Sequence, residues 1–333
     1  MKISASIYSD SNRELEQIIK DLDNHQVDLL HVDCNDDPKV FQDIKRIREW
    51  SQTPIDLHLI TSKPEKFYDL LQQNPVEYLT LQIEELSGFQ GFPKHLTCKK
   101  GLALTTNTPL EQLQSFQDFD FVLLMATVPG QSGGKFDALN FAKIRQCRRL
   151  FPDKSIHVDG GVNGEVSFIL RTMGVSTAVS GSYLFNAATV GQALLNLTSR
   201  SIASAFAVKD FMTPINEVPF VELKNCSSFE IANQVEKGDI GFCLILDKGK
   251  LFGISSSADI RKAFLKKINN LNEINSTDLI NQNPIKINSN FTVKEMLKLV
   301  KSCRFPVMYL PVVNEKNDAV GIVTFANLIK AEL

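Results

Sequence analysis

The stretch Ile156-His157-Val158-Asp159-Gly160-Gly161 joins a short run typical of a β-strand to a carboxylate and two glycines. Seven other β-type runs occur in the same part of the chain, with amphipathic stretches between them. Eight strands that alternate with helices over about 200 residues predict parallel βαβ units and an α/β fold, the (β/α)8 TIM barrel. The predicted strands are Ile3–Ile7, Leu29–Val32, Ile55–Leu59, Tyr78–Leu81, Leu102–Leu104, Phe121–Met125, Ile156–Val158 and Ala178–Ser180.

The segments between the strands repeat apolar residues at helical spacing. A doubly wound open sheet is the alternative to the barrel. Because no Gly-x-Gly-x-x-Gly fingerprint follows the first strand, the sequence argues against a dinucleotide-binding fold. The apolar residues predicted to share a helix face are Leu15, Ile18, Ile19 and Leu22, then Phe41, Ile44 and Ile47, and then Phe141, Ile144, Cys147 and Leu150.

Length and composition limit the classes of function that the chain can have. The chain has 333 residues, enough for two domains. Its formal net charge of -2 leaves no basic surplus to hold a phosphate backbone, so we expect no nucleic-acid partner. No apolar run approaches the ~18 residues that span a bilayer, and the first residues do not read as a signal peptide, so we expect no membrane partner. Six scattered cysteines without a CxxC pair predict free thiols in a reducing cytoplasm.

Histidines and aspartates end three of the predicted strands. His31 and Asp33 are two residues apart, so a strand places both on one face. His58 ends the third strand and Asp159 the seventh. The carboxyl ends of barrel strands meet at one face, where the chemistry of the fold takes place, and two imidazoles with two carboxylates predict a divalent-metal site there. The alternative is that these four residues are polar caps solvated at the barrel rim.

Glycines follow the last three predicted strands. Glycine lets backbone N–H groups approach an anion closely, and barrels often bind phosphate after strands seven and eight. The pattern therefore predicts a phosphate site, with tight βα turns as the alternative. The segments are Pro129-Gly130-Gln131-Ser132-Gly133-Gly134, Gly160-Gly161 and Gly181-Ser182.

Several of these motifs together resemble the ribulose-phosphate 3-epimerase family over about residues 1–200. Ser4-Ala5-Ser6-Ile7-Tyr8-Ser9 is similar to that family's opening Ala-Pro-Ser-Ile-Leu-Ser, and His31-Val32-Asp33 to its His-x-Asp. Asp56-Leu57-His58-Leu59 and Val158-Asp159-Gly160-Gly161-Val162 are similar to two further motifs. The resemblance implies a β/α barrel that binds one divalent metal and interconverts the C3 epimers of a ketose phosphate.

The resemblance also implies roles for individual residues. Asp33 and Asp159 would be the acid/base pair, one for each face of the carbon that loses and regains a proton. The metal ligands would be His31, Asp33, His58 and Asp159, and the ion would be zinc, iron(II), manganese or cobalt, which this ligand set suits alike. Substrate contacts would come from Ser6, His58, Met125, Gly130, Gln131, Ser132, Gly133, Gly160, Gly161, Gly181 and Ser182.

The chain departs from the family's pattern on the wall that faces the substrate. Asn35 and Ile60 stand where the family has methionines, and Gln82 stands where it has a histidine. The substrate therefore stays open between ribulose 5-phosphate, allulose 6-phosphate and a sugar phosphate for surface polysaccharide. A barrel that has lost turnover and acts as a ligand-binding regulator is a second hypothesis.

The last third of the chain contains an internal repeat. Gly241–Asp247 with Leu251–Ile260 form one copy, and Tyr309–Asn314 with Ala319–Leu328 form the other. Each copy predicts helix, strand, turn, strand, helix. The repeat resembles a tandem pair of CBS modules, which divides the chain into a barrel at 1–203 and a CBS pair at 204–333.

In the CBS family a Gly-φ-φ-Ser/Thr-x-x-Asp segment can hold a nucleotide, with the hydroxyl on phosphate and the carboxylate on ribose. Ser256 and Asp259 match this pattern in the first copy. Thr324 matches it in the second, where Asn327 replaces the aspartate. The resemblance leaves two alternatives, an adenine-nucleotide sensor and a structural or dimerising pair. In either case we expect a homo-oligomer, a dimer or higher.

Overall fold

The computed structural model describes residues 1–86, 88–89, 91–116, 118–127, 133–198, 205–238, 240–303 and 305–326. The described residues form two compact units, one within Met1–Ile202 together with Ala326 and the other within Ala203–Phe325. The domain boundary predicted at residue 203 falls outside the described residues, so it stays a prediction.

Eight parallel strands close into a barrel in the first unit. β1 pairs with β8 as well as with β2, so the sheet has no free edge. This closure confirms the predicted barrel and its eight strands, and it shows that the open-sheet alternative is wrong. The strands are β1 (Lys2–Ser6), β2 (Leu29–Asn35), β3 (Ile55–Ile60), β4 (Tyr78–Gln82), β5 (Lys99–Thr105), β6 (Phe121–Met125), β7 (Ser155–Asp159) and β8 (Thr177–Ser180).

Helices accompany the barrel strands, and their apolar stripes are buried as the spacing predicts. Ile18, Ile19 and Leu22 are almost fully buried on the first helix, and Leu15 is half-buried. The predicted stripes of the second and fourth helices are likewise buried, except for a half-buried Leu150. The helices are α1 (Leu15–Asn24), α2 (Val40–Trp50), α3 (Tyr68–Gln73), α4 (Leu139–Leu150), α5 (Gly164–Thr172), α6 (Ser182–Phe185) and α7 (Val190–Thr198).

An aromatic cluster fills the barrel interior toward the amino ends of the strands. The ring of Phe121 stacks on His157, with 4.1 Å between ring centroids, and Tyr78 meets Phe121 edge-on. Gly101 makes room for this ring, since a Cβ there would lie 2.2 Å from a ring carbon of Phe121. Because these rings fill the interior at the amino ends of the strands, a functional site is expected at the carboxyl ends.

The second unit consists of two small sheets with short helices. One sheet has the order β10-β11-β12 and the other the order β13-β14-β15-β9. Their strands are β9 (Thr213–Pro214), β10 (Phe220–Glu222), β11 (Phe242–Asp247), β12 (Lys250–Ser256), β13 (Ile287–Asn288), β14 (Tyr309–Val313) and β15 (Ala319–Thr324). The helices are α8 (Val208–Phe211), α9 (Ser228–Lys237), α10 (Ser257–Lys266) and α11 (Val293–Ser302).

The repeat predicted from the sequence accounts for this unit. The first copy is α9-β11-β12-α10, and the second begins α11-β14-β15, while its last helix was predicted over residues that are mostly outside the described part. Phe242 and Leu244 of one copy share a hydrophobic core with Val313 and Ile322 of the other. The predicted α/β CBS-like domain after the barrel is thereby confirmed.

Within the described ranges, no helix has both the length and the apolar character needed to cross a membrane.

The contact between Gly101 and Phe121 predicts a stability effect confined to the barrel. Gly101→Ala should lower the free energy of unfolding by about 1–3 kcal/mol, because the added methyl group must displace the ring. The fluorescence of Trp50, the single tryptophan, reports unfolding of the barrel unit in denaturant. Gly101→Ala made together with Phe121→Leu should cost less than the sum of the two changes. Strict additivity would show that the ring is not what requires the glycine.

Candidate functional site

The register of β2 and β3 places four polar side chains inside the mouth of the barrel. His31 lies beside Asp56, and Asp33 beside His58. Alternate residues of a strand face opposite sides, so Val32 and Leu57 point outward and are fully buried in the apolar layer. Asp159 joins them from the end of β7. Polar residues that alternate with apolar ones thus line the interior where these strands end.

The imidazoles and carboxylates of this cluster approach one another closely. One ligand atom each from His31, His58 and Asp159 lie within 4.8 Å of one another. Asp33 Oδ1 is 3.4 Å from His31 Nε2 and 3.3 Å from His58 Nδ1, and Asp159 Oδ2 is 3.8 Å from His31 Nε2. The structure therefore brings together all four residues that the sequence predicted as metal ligands.

Three atoms of the cluster are buried without a hydrogen-bond partner among the described residues: His31 Nε2, Asp33 Oδ1 and His58 Nδ1. A buried polar atom left unpaired costs about 1–3 kcal/mol, so such atoms are rare unless a ligand satisfies them. Here the three atoms converge on one place, and they are nitrogen and oxygen donors of the kind that transition metals bind. The residues present fit a divalent cation.

The other nitrogen of each ring has a hydrogen-bond partner on the far side of the ring from the cluster. His31 Nδ1 is 3.0 Å from Asp56 Oδ2, and His58 Nε2 is 2.9 Å from Gln82 Oε1. Asp56 also accepts a hydrogen bond from Ser4, and both partners are fully buried. Because a carboxylate only accepts, the proton of His31 lies on Nδ1. Partners of this kind orient ligating histidines in metal sites.

Neither Asp56 nor Gln82 was predicted as a site residue, and Gln82 was noted only as a departure from a family pattern. The signal for Asp56 was its place two residues before His58, on the same strand face. For Gln82 the signal was weaker, since only the pairing of β3 with β4 brings it near His58.

The pKa values of the two carboxyl groups in the cluster, Asp33 and Asp159, are shifted in opposite directions. Burial raises the pKa of Asp159 to about 6, although the nearby His31 opposes this shift. Burial also acts to raise the pKa of Asp33, but His31 and His58 outweigh it, and the pKa of Asp33 falls well below its usual range. Burial lowers the pKa of His31, but the charges of Asp33 and Asp56 raise it by more than burial lowers it, so the net shift of this pKa is upward. Carboxyl groups whose pKa values are driven apart suit separate acid and base roles.

Of the predicted substrate residues, Ser6 and Met125 end barrel strands, and the glycine loop after β6 is only partly described. Ser6 ends β1, and its Oγ lies 3.1 Å from the Ser9 hydroxyl that donates to it. Met125 ends β6 and is buried with Ala103, Leu123 and Val179. Gly133 has a positive φ of 86° and open space around it, while Gly130, Gln131 and Ser132 lie outside the described residues.

Protein packing accounts for the glycines after β7 and β8. Gly160 and Gly161 have φ of 110° and 65°, which favours glycine. A Cβ on Gly161 would lie 2.1 Å from the backbone nitrogen of Phe136, and one on Gly181 would lie 2.0 Å from Ser9 Oγ. These turns are therefore tight irrespective of a ligand, and Ser182 begins α6 directly after Gly181.

In the second unit, the predicted nucleotide residues Ser256 and Asp259 contact each other. Asp259 Oδ2 accepts hydrogen bonds from the backbone nitrogen of Ser256 at 3.0 Å and from its hydroxyl at 2.6 Å. Together they form the capping box at the start of α10. Thr324 ends β15 and pairs with Tyr309 across the sheet. The carboxylate predicted to hold ribose thus already stabilises a helix end.

The model of the ribulose-phosphate 3 epimerase family matches residues 2–185, and that of the CBS domain matches residues 276–333. The ribulose-phosphate 3-epimerase of Methanocaldococcus jannaschii is 30% identical over 231 residues, which are 64% of this chain and 95% of that protein. The Bacillus subtilis enzyme of the same name is 28% identical over 56% of this chain and 92% of its own length.

Among solved structures, the chain is similar to CBSX2 in complex with AMP. That match has 21% identity, covers 38% of this chain and 96% of CBSX2, and has a TM-score of 0.33.

The raised pKa of Asp159 predicts that this residue destabilises the metal-free protein. A carboxyl whose pKa rises on folding is protonated more readily in the folded state, so stability falls as pH increases from about 4 to 6. Asp159→Asn removes the buried charge and should raise the free energy of unfolding above pH 6 by about 1–3 kcal/mol. The gain should vanish near pH 4.

Denaturant titrations followed by Trp50 fluorescence, with chelator present, would measure the effect of Asp159→Asn at each pH. Asp153→Asn provides a control on an exposed aspartate of the same unit. A gain for Asp159→Asn that did not depend on pH would contradict the assignment of a raised pKa.

Proposed function

The chain belongs to the ribulose-phosphate 3-epimerase family, and we propose that its barrel is a metal-dependent 3-epimerase of a ketose phosphate. One observation carries the proposal beyond family membership. Three buried and unpartnered donor atoms, on His31, Asp33 and His58, converge at the mouth of the barrel beside Asp159. These three atoms can bind a cation, and they would hold it next to two carboxylates that can accept or donate a proton.

We propose that His31, Asp33, His58 and Asp159 hold one divalent metal ion: zinc, iron(II), manganese or cobalt. When bound, the ion supplies positive charge that polarises the substrate's carbonyl and offsets the negative charge that develops on its oxygen atoms. Asp56 and Gln82 keep the two imidazoles oriented toward it through the ring nitrogens that do not face the site.

Asp33 and Asp159 are proposed as the acid/base pair. Epimerisation at C3 removes a proton beside the C2 carbonyl and returns a proton on the opposite face of that carbon. One carboxylate comes from β2 and the other from β7, two strands that are not neighbours in the barrel, so each can serve one face. The lowered pKa of Asp33 and the raised pKa of Asp159 fit a pair in which one member is ionised while the other takes up a proton.

For the substrate, we propose a sugar phosphate whose phosphate lies against the turns after β7 and β8. Those turns contain Gly160 and Gly161 in one case, and Gly181 and Ser182 in the other; the further contacts predicted for Gly130, Gln131 and Ser132 lie outside the described residues. Barrels often bind phosphate at this end of the fold. Ser6, His58 and Met125 would contact the sugar.

The identity of the sugar remains a choice between three substrates. Asn35 ends β2 with an exposed side chain, and Ile60 ends β3 half-buried, at places where the family pattern has methionines. The amide of Asn35 offers hydrogen bonds that a thioether lacks. Allulose 6-phosphate and a precursor of surface polysaccharide are therefore proposed beside ribulose 5-phosphate.

We propose further that residues 204–333 are a regulatory CBS pair that assembles the chain into a dimer or higher oligomer. Ser256, Asp259 and Thr324 would contact an adenine nucleotide. The repeated elements and their shared core support the paired arrangement. All six cysteines are free thiols, which fits the proposed location in a reducing cytoplasm.

The epimerase proposal is tested with ribulose 5-phosphate, allulose 6-phosphate and related ketose phosphates, each incubated with metal-loaded protein in D2O. The true substrate should gain deuterium at C3 and convert to its epimer. Asp33→Asn and Asp159→Asn keep the size of each side chain but remove its basicity, so turnover should fall by about 10²–10⁴. Asp153→Asn, at an exposed position, should keep full activity. Protein that binds metal and every sugar phosphate but exchanges no C3 proton would instead be a ligand-binding regulator.

The nucleotide proposal is tested by the melting temperature of the full-length chain with increasing AMP, ADP or ATP. A ligand at about 100 times its Kd stabilises by about 2.7 kcal/mol, so the shift should depend on concentration. Asp259→Ala should abolish the shift. This change also removes a helix cap, and Glu295→Ala, which removes the equivalent capping box of α11, is the matched control. If the nucleotide shifted the melting temperature equally in both variants, Asp259 would not be part of the nucleotide site.

A further inference from the structure

The ring proton of His58 has two possible positions with different consequences. Its Nδ1 lies 3.3 Å from Asp33 Oδ1, and its Nε2 lies 2.9 Å from Gln82 Oε1. A proton on Nδ1 would bond to Asp33 and block the nitrogen that faces the cluster. A proton on Nε2 bonds to Gln82 and leaves the lone pair of Nδ1 free. Asp33 and Gln82 therefore compete for one proton, and the charged competitor is Asp33.

The side chain of Gln82 is oriented by Glu84. Gln82 Nε2 donates to Glu84 Oε2 at 2.5 Å. An ionised carboxylate has no proton to give, so the NH2 group of Gln82 must face Glu84 and its carbonyl oxygen must face His58. Gln82 is only 2% exposed, so bulk water has little access to take the place of either partner.

The carboxylate of Glu84 is held in place, although the residue is exposed. Its Oε1 accepts hydrogen bonds from the backbone nitrogen of Thr105 and from the hydroxyl of Thr108. Lys143 in turn donates to three backbone carbonyls of the same turn, those of Thr105, Thr106 and Thr108. Partial burial raises the pKa of Glu84, but the hydrogen bonds from Thr108, Thr105 and Gln82 lower it below its ordinary value. An ionised carboxylate thus stands at a fixed distance behind Gln82.

We propose that Gln82 and Glu84 are positioning residues that keep the proton of His58 on Nε2 and so free Nδ1 as a metal ligand. The inference rests on the proposed function, since it takes His58 as a ligand. It also gives a reason why glutamine can stand at a place where the family pattern has histidine. A glutamine amide and a neutral imidazole each contain both a donor group and an acceptor group, so either can donate to Glu84 and accept from His58.

The tautomer of His58 can be measured directly in the metal-free protein. Long-range ¹H–¹⁵N NMR distinguishes protonated from unprotonated ring nitrogens, and the chain has only five histidines to assign. In wild-type protein, the neutral ring of His58 should carry its proton on Nε2. In Gln82→Leu the proton should move to Nδ1, where Asp33 accepts it. Glu84→Gln, whose amide no longer fixes the orientation of Gln82, should give a mixture. Glu85→Gln removes an equal charge from the neighbouring exposed position and should leave the tautomer unchanged.

Cobalt(II) affinity and the visible spectrum of the cobalt-loaded protein provide the second measurement. Gln82→Leu should weaken Co²⁺ binding by about 10–100-fold, the usual effect of losing a partner that orients a ligand. Glu84→Gln should also weaken Co²⁺ binding. Gln82→His should bind Co²⁺ more tightly than Gln82→Leu. Since Glu84→Gln changes an exposed side chain to one of equal size, it preserves the test if Gln82→Leu does not fold.

The two proposals fail in different ways. Unchanged His58 protonation and unchanged Co²⁺ affinity in both Gln82→Leu and Glu84→Gln would overturn the positioning role while leaving the metal site intact. Wild-type protein that bound no Co²⁺ would overturn the proposed metal site. The NMR measurement needs no metal, so it would still decide whether Gln82 and Glu84 place the proton.

Discussion

A neutral imidazole has one nitrogen that donates and one that accepts, and the site depends on which partner takes the donor. At His31 the partner is Asp56, which is itself buried and bonded to Ser4. At His58 the partner is Gln82. Both partners lie on the far side of the rings from the centre of the cluster. The remaining nitrogens therefore face Asp33, and in the neutral rings their lone pairs are available to a cation.

The fold achieves this arrangement through strand register. In a parallel pair, side chains at matched positions lie side by side on one face, so β2 and β3 place His31 beside Asp56 and Asp33 beside His58. Closure of the barrel then brings Asp159 from β7 to the same mouth. Below this level, Phe121 and His157 fill the interior. The buried polar groups thus rest on a packed aromatic base.

The parts of the structure that follow from local periodicity could be predicted from the sequence. The eight strands, the apolar stripe of α1 and the strand-end residues His31, Asp33, His58 and Asp159 all follow from spacing along the chain. The role of Gln82 could not be predicted in this way, because it depends on how β4 is aligned with β3. The capping box of Ser256 and Asp259, in contrast, could have been predicted, because Ser-x-x-Asp before an apolar run is its sequence signature. Spacing reveals which side chains share a face, but not which acceptor reaches which proton.

The electrostatics of the cluster conflict with its own stability, and this conflict indicates function. Asp33 and Asp159 share one buried site, and Asp159 is only 18% exposed at its side chain. Without a cation, burial and the charge of Asp33 raise the pKa of Asp159, so ionising it opposes folding. Stability alone would favour a neutral side chain at this position. A second carboxylate there becomes advantageous once a cation neutralises part of the charge and a substrate proton has to be taken up or returned. The metal ion and the acid/base pair are therefore two consequences of one charge distribution.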